Sequence, residues 1–327
     1  MRRRDFIAVA TVVAMASLRV AAQVTSKTFR VGMLTRGGPI SDESPPGVAL
    51  IRGLARRGYT LHGNLEFERR AGMGRTEVVP QLLEELVASK VDVILAISYP
   101  AALAAKKGTT LPVVVYSAGD PVATGLVESL ARPGGNLTGI SDLTVELSPK
   151  RLELLKEMTP GLHKVAMLWN AGDPAMSARY KVSEAAAKVL GISVEPVGVR
   201  APEDFDPAFA VMARSKPDAI FVVTDGLTLL NRQRVLDFAA SNRLPAVYEE
   251  FDSIVREGGL MCYAPDVDET FDRIADLIDR IFKGAKPQDL PFEQPTRLRL
   301  IINLKRAKEL GLAIPQSLLL RADEVIE

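Results

Sequence analysis

Contiguous apolar runs alternate along nearly the whole chain with stretches whose apolar residues recur every three or four positions. Phe29 to Leu34 is the first such run. Leu65 to Glu68, Val91 to Ala96 and Pro112 to Tyr116 follow. Between them, Val48 to Arg57 places Leu50, Leu54 and Ala55 on one helical face, with Gly58 as its stop. Glu77 to Ser89 does the same with Val78, Leu82, Leu83, Leu86 and Val87, and Ala101 to Lys107 reads as a third helix. Runs of Val, Ile and Leu without polar alternation belong to strands buried on both faces. The pattern therefore predicts a parallel sheet between two layers of helices.

The rhythm breaks between Gly134 and Leu147 and then restarts. Strands are expected at Val165 to Trp169, Ser193 to Val197, Ala219 to Val223 and Pro245 to Tyr248. Helices are expected at Lys150 to Met158, Ala175 to Leu190, Phe205 to Ala213 and Thr228 to Ser241. Two long cycles of one rhythm predict two doubly wound, Rossmann-like α/β lobes. An amphipathic helix from Asp268 to Phe282 and a late strand from Leu298 to Ile302 come after both cycles. A segment in that place can cross back between the lobes and make a hinge.

The first residues follow a different logic. Met1-Arg2-Arg3-Arg4-Asp5-Phe6-Ile7 is basic, Ile7 to Leu18 is apolar, and Val20-Ala21-Ala22-Gln23 carries small residues. That order reads as a secretory signal peptide over residues 1–22. Its apolar run is too short for a permanent bilayer span. The Arg3-Arg4 pair also resembles the twin-arginine export pattern, and the general export route stays open beside it. No cysteine stands at the cut site, so the mature protein is expected free in the periplasm. Cleavage is predicted after Ala22; mass spectrometry of the protein recovered from the periplasm checks this, and an intact Met1 there would rule it out.

Composition narrows the chemistry. A chain of 327 residues suits two lobes rather than one core. A net charge of +1 offers no basic field for nucleic acid. The single cysteine, Cys262, can form no internal disulfide, and with only His62 and His163 beside it a transition-metal site is not expected. There is no glycine-rich dinucleotide fingerprint, phosphate loop, nucleophile elbow or His-Glu zinc helix. The expectation is a protein that is not an enzyme and needs no cofactor.

In open α/β sheets, ligands sit outside the carboxyl ends of the strands. That rule selects Thr35 and Arg36 after the first strand, Ser98 and Tyr99 after the third, and Ser117, Gly119 and Asp120 after the fourth. In the second cycle it selects Asn170, with Asp173 further along its loop, then Asp225, Tyr248 and Glu249. Helix N-termini in these loops suit a carboxylate. An ammonium needs an acidic partner, which Asp120 or Asp225 could provide. Tyr248 and Tyr263 are candidate aromatic walls. Each position also has a plainer reading: Ser98 and Asp173 as helix caps, Asp120 as the anchor of a turn, the tyrosines as core.

Several stretches resemble one family closely. They include Gly119-Asp120-Pro121-Val122, Arg132-Pro133-Gly134-Gly135-Asn136-Leu137-Thr138-Gly139, Lys150 to Lys156, Gly258 to Tyr263, Ile281 to Pro291, Asn303 to Leu312 and Arg321 to Glu327. In this order they are similar to the substrate-binding proteins of ABC importers, in the type I periplasmic binding branch with tryptophan- and tyrosine-associated members. The first loop departs from that family through Asp42, Glu43 and the Pro45-Pro46 pair. The resemblance, with the strand rhythm, implies one lobe from residues 27–141 and 267–292 and a second from 143–264 and 296–327. It further implies a small solute captured in the cleft by hinge closure, a membrane permease as partner, and a monomer. A periplasmic sensor presenting its solute to a membrane receptor is the alternative. An aromatic or branched-chain amino acid is the first expectation for the solute.

Overall fold

The computed structural model describes residues 27–141, 143–249 and 252–327. The signal peptide expected over residues 1–22 lies outside them. Five strands, β1 (Phe29–Thr35), β2 (Leu65–Ala71), β3 (Val93–Ile97), β4 (Val113–Tyr116) and β5 (Leu137–Ile140), form a parallel sheet in the order β2-β1-β3-β4-β5. A second sheet holds β6 (Lys164–Asn170), β7 (Ser193–Val199), β8 (Ala219–Val222), β9 (Ala246–Tyr248), β10 (Met261–Pro265), β11 (Leu298–Asn303) and β12 (Glu324–Ile326). Its order is β7-β6-β8-β9-β10-β11-β12, and only the β10–β11 pair is antiparallel. The two-lobed, doubly wound reading of the strand rhythm holds.

Apolar residues alternate between two helical layers on each sheet. In the first, Val31, Met33, Val93 and Leu95 face one layer, while Leu34, Ile94 and Ala96 face the other. Continuous apolar strands are what this two-sided burial demands. The helix Val267–Phe282 follows the second sheet in sequence but packs in the first lobe, where Phe271, Ile274 and Leu277 share a core with Val31, Leu50 and Leu54. Gly53 permits that approach: a Cβ there would lie 2.8 Å from Ala275 Cβ. Glu293 then bridges to Ile140, and β11 joins the second sheet. The chain thus passes between the sheets three times, after β5, after β10 and before β11.

Three local expectations differ from the structure. Pro45 and Pro46 open a helix, Pro45–Ala55, instead of closing a loop, because proline suits the first helical turn and Ser44 caps it through Gly47 N. The break after Gly134 contains β5, whose Gly139 packs where a Cβ would meet Val115 O at 2.2 Å. The short strands β10 and β12 extend the second sheet without a strand signal of their own. Among the described residues no helix is long and apolar enough to cross a membrane.

Candidate functional site

Both sheets share the 2-1-3-4-5 winding in their parallel part, which places a crevice where the strand order reverses. In the first lobe that point lies between β1 and β3, so Thr35 and Ser98 stand at it. In the second it lies between β6 and β8, which deliver Asn170 and Asp225. The two crevices face each other across a cavity of about 430 Å³. Thr35, Ser98 and Ser117 line it from the first lobe, Asp173, Met176 and Asp225 from the second. Most of the remaining wall is apolar, including Pro39, Ile40, Ile97, Tyr116, Leu229 and Ile254. Such size and lining suit a small organic solute.

One pole of the cavity offers hydrogen-bond donors. Ser98 opens the ten-residue helix Tyr99–Gly108, yet its hydroxyl makes no capping bond. The Oγ atom is buried, and no described atom hydrogen-bonds to it. Its backbone sits at φ 100°, a region that costs a serine about 1–3 kcal/mol. Pro100 contributes no N–H, but the first turn still presents unpaired backbone donors and the positive end of the helix dipole.

The other pole is acidic. Asp173 caps the helix Pro174–Val189 by accepting from Ala175 N at 2.8 Å. It is only 2% exposed, and burial, helped by the nearby Asp225 charge, pushes its pKa from 3.8 up to about 6. Asp225 is fully engaged. Its Oδ1 accepts from Leu227 N and Thr228 N, and its Oδ2 accepts from Arg36 Nη1 at 2.7 Å and Asn170 Nδ2 at 2.6 Å. Arg36 answers one of the two carboxylates. Arg232 and Glu257, at the outer wall, answer each other at 2.7 Å. One carboxylate therefore stays in excess among these groups, and a cavity with a donor pole and an acidic pole can hold a molecule carrying separated opposite charges.

The other positions singled out in the sequence fall elsewhere. Tyr99 is half-buried and packs on the cores of both lobes. Gly119, at φ 72°, brings its loop against Ala175 of the opposite lobe. Asp120 is exposed and anchors a turn through Val122 N and Ala123 N, as its plainer reading had it. Tyr248 is core, packed with Phe205 and Val222, and its hydroxyl has no partner among the described residues. Tyr263 packs on the core of the second lobe. Glu249 is wholly buried beside Arg151 at 3.5 Å and Arg179 at 3.7 Å, and accepts from Ser148 Oγ. Glu250, next to it, lies outside the described residues. The aromatic wall that does reach the cavity is Tyr116, braced edge-on by Phe271 at 5.3 Å. Its signal was its place at the carboxyl end of β4. Among the described residues no group of three or more His, Cys, Asp or Glu is placed to hold a metal.

Facing switch points around a solute-sized cavity define a two-lobed solute-binding protein of the type I periplasmic binding fold. Residues 41–326 match the family described as ABC transporter substrate binding protein, and the chain belongs to that family. It is 28% identical over 276 residues to a protein of Clostridioides difficile named tyrosine-binding protein, a match spanning 84% of this chain and 78% of that one. Among solved structures, an ABC domain from Streptococcus pneumoniae in complex with L-Trp is 28% identical, with a TM-score of 0.83 over 92% of this chain and 100% of that chain. A conserved domain protein of Vibrio cholerae is 26% identical, with a TM-score of 0.84 over 91% of this chain and 100% of that chain.

Proposed function

We propose that this protein captures a zwitterionic amino acid with an aromatic or bulky apolar side chain between its lobes, and delivers it from the periplasm to the permease of an ABC importer. The observation that carries the reading is the pairing of opposite poles in one largely apolar cavity. The solute carboxylate is taken by the Ser98 hydroxyl and the start of the helix Tyr99–Gly108. The ammonium is taken by Asp173, which has no ion-pair partner among the described residues, while Asp225 beside it stays engaged with Arg36 and Asn170. The side chain lies against Tyr116, Met176, Leu229 and Ile254. Relatives named for tyrosine binding or solved with L-Trp support the aromatic choice. Binding of this kind needs no covalent step, and closure of the lobes around the solute would present one defined shape to the permease.

Calorimetry of the mature protein against the twenty amino acids, small carboxylates and sugars tests the reading. L-tyrosine or L-tryptophan should bind with micromolar affinity or better, and a response to a neutral sugar with none to any amino acid would end it. Within the same assay, Ser98→Ala should weaken binding by about tenfold, the worth of a hydrogen bond to a charged group. Its melting temperature should hold, since the hydroxyl supports no other described group.

A further inference from the structure

The cavity between the lobes is apolar along much of its wall but carries a second polar stretch away from the strand ends. Arg232, Ser253 and Glu257 of the second lobe line it there, next to Leu229 and Ile254. The five-residue helix Gly226–Leu230 separates this stretch from the acidic pole: Asp225 caps its start and Arg232 follows its end. At 1.5 Å per residue that helix spans about 8 Å. Asp225 and Arg232 both line the cavity, so the cavity runs along this helix. An aromatic side chain anchored at the poles can bridge such a distance, and a short aliphatic one cannot. Ser253 and Glu257 stand one helical turn apart, joined by the bond from Glu257 N to Ser253 O at 3.0 Å, and share the wall with Ile254.

We propose that Glu257, held in place by Arg232, accepts a hydrogen bond from the far end of an aromatic solute. The cavity then selects rings that carry a donor there, the phenol hydroxyl of tyrosine or the indole N–H of tryptophan, over phenylalanine. This rests on the amino-acid capture proposed for the same cavity and adds the choice among aromatic solutes. Glu257 takes a bond from Arg232 Nε at 2.7 Å and another from Arg232 Nη2 at 3.3 Å. A carboxylate has room for about four such bonds, and no other described residue donates to this one. Arg232 is tied in turn to the apolar wall, since its Nη1 donates to Leu229 O at 3.2 Å. The pair is balanced in charge, so it does not compete with Asp173 for the solute ammonium. It offers a directed acceptor at the end of an apolar wall. A ring without a donor would strip water from that acceptor and return no bond.

Calorimetry of the mature protein with L-tyrosine, L-tryptophan, L-phenylalanine and 4-fluoro-L-phenylalanine tests the subsite. The fluorine fills the place of the phenol hydroxyl without donating. Tyrosine and tryptophan should bind about tenfold more tightly than the two solutes that lack a donor, the low end for a bond to a charged acceptor because the Glu257 side chain is 33% exposed. Glu257→Ala should close that gap by weakening tyrosine and tryptophan. Glu257→Gln, which keeps an acceptor oxygen, should retain part of it. Both variants should melt close to the wild type, since an exposed ion pair adds little to stability. A wild type that binds phenylalanine as tightly as tyrosine and tryptophan, or a gap that persists in Glu257→Ala, would overturn the subsite and leave amino-acid capture standing. No response to any of the four solutes would instead remove amino-acid capture, and the subsite with it.

Discussion

Asp173→Asn is expected to unfold several degrees above the wild type at pH 7.5 while binding its amino acid at least tenfold more weakly. Burial and the neighbouring Asp225 raise the pKa of Asp173 from 3.8 to about 6. Between those values the folded protein keeps a proton that the unfolded chain has released. Folding is therefore penalised in full above about pH 6 and not at all below about pH 4. A carboxyl raised from 3.8 to about 6 destabilises the fold by about 3 kcal/mol once both states have lost the proton. Asparagine removes the charge and still caps the helix through Ala175 N, so the gain should emerge as pH rises through 6 and vanish near pH 4. The same change deletes a charge-assisted bond to the solute ammonium, worth about 1.5–3 kcal/mol. Wild-type affinity should itself decline as pH falls below about 6 and Asp173 takes up its proton. Melting curves and calorimetry across pH 4–8 check both halves. A variant less stable than the wild type at pH 7.5 would show that Asp173 is needed as a charged structural group instead.

Glu249→Gln should cost the fold about 3 kcal/mol or more, the largest stability loss expected from any single polar change here. Glu249 is wholly buried against the guanidiniums of Arg151 and Arg179, which are themselves fully buried. Arg151 also ties the middle of β10 to the end of β9 by donating to Tyr263 O and Glu249 O, each at 2.7 Å. Removing the carboxylate charge leaves two buried cations without the counter-charge of Glu249. Chemical denaturation should show a lower midpoint with an unchanged slope. Retention of the wild-type midpoint would mean that neighbouring groups balance both arginines alone.

The sequence carried the architecture because it is written in local pattern. Val93 to Ala96 and Ala219 to Val222 are buried on both faces, which calls for contiguous apolar residues. Strand β5 escaped because Leu137-Thr138-Gly139-Ile140 owes its place to tertiary contact: Gly139 fits against the Val115 backbone, and Thr138 Oγ1 donates to Leu290 O. The site was legible as a set of loops and illegible as a set of roles. Asp120 and Asp173 look alike in sequence, each an aspartate before proline in a loop that follows a strand. Only burial separates them, one exposed at a turn and the other 2% exposed at the cavity. Tyr116 and Tyr248 both end short strands, yet one faces the cavity and the other the core. The strand rule placed Asp225 at the cleft edge, but no local pattern could announce that Arg36 would answer it from the opposite lobe.

In the proposed function the cavity reads both charges of an amino acid at once. Titration of the mature protein with L-tyrosine, with tyramine and with 3-(4-hydroxyphenyl)propionate separates the two poles. These share one ring; tyramine lacks the carboxylate and the propionate lacks the ammonium. Tyrosine should bind, and each analogue should lose about a hundredfold or more in affinity, since each leaves one buried pole unanswered. An analogue that binds as tightly as tyrosine would show that the pole it leaves empty takes no part in recognition.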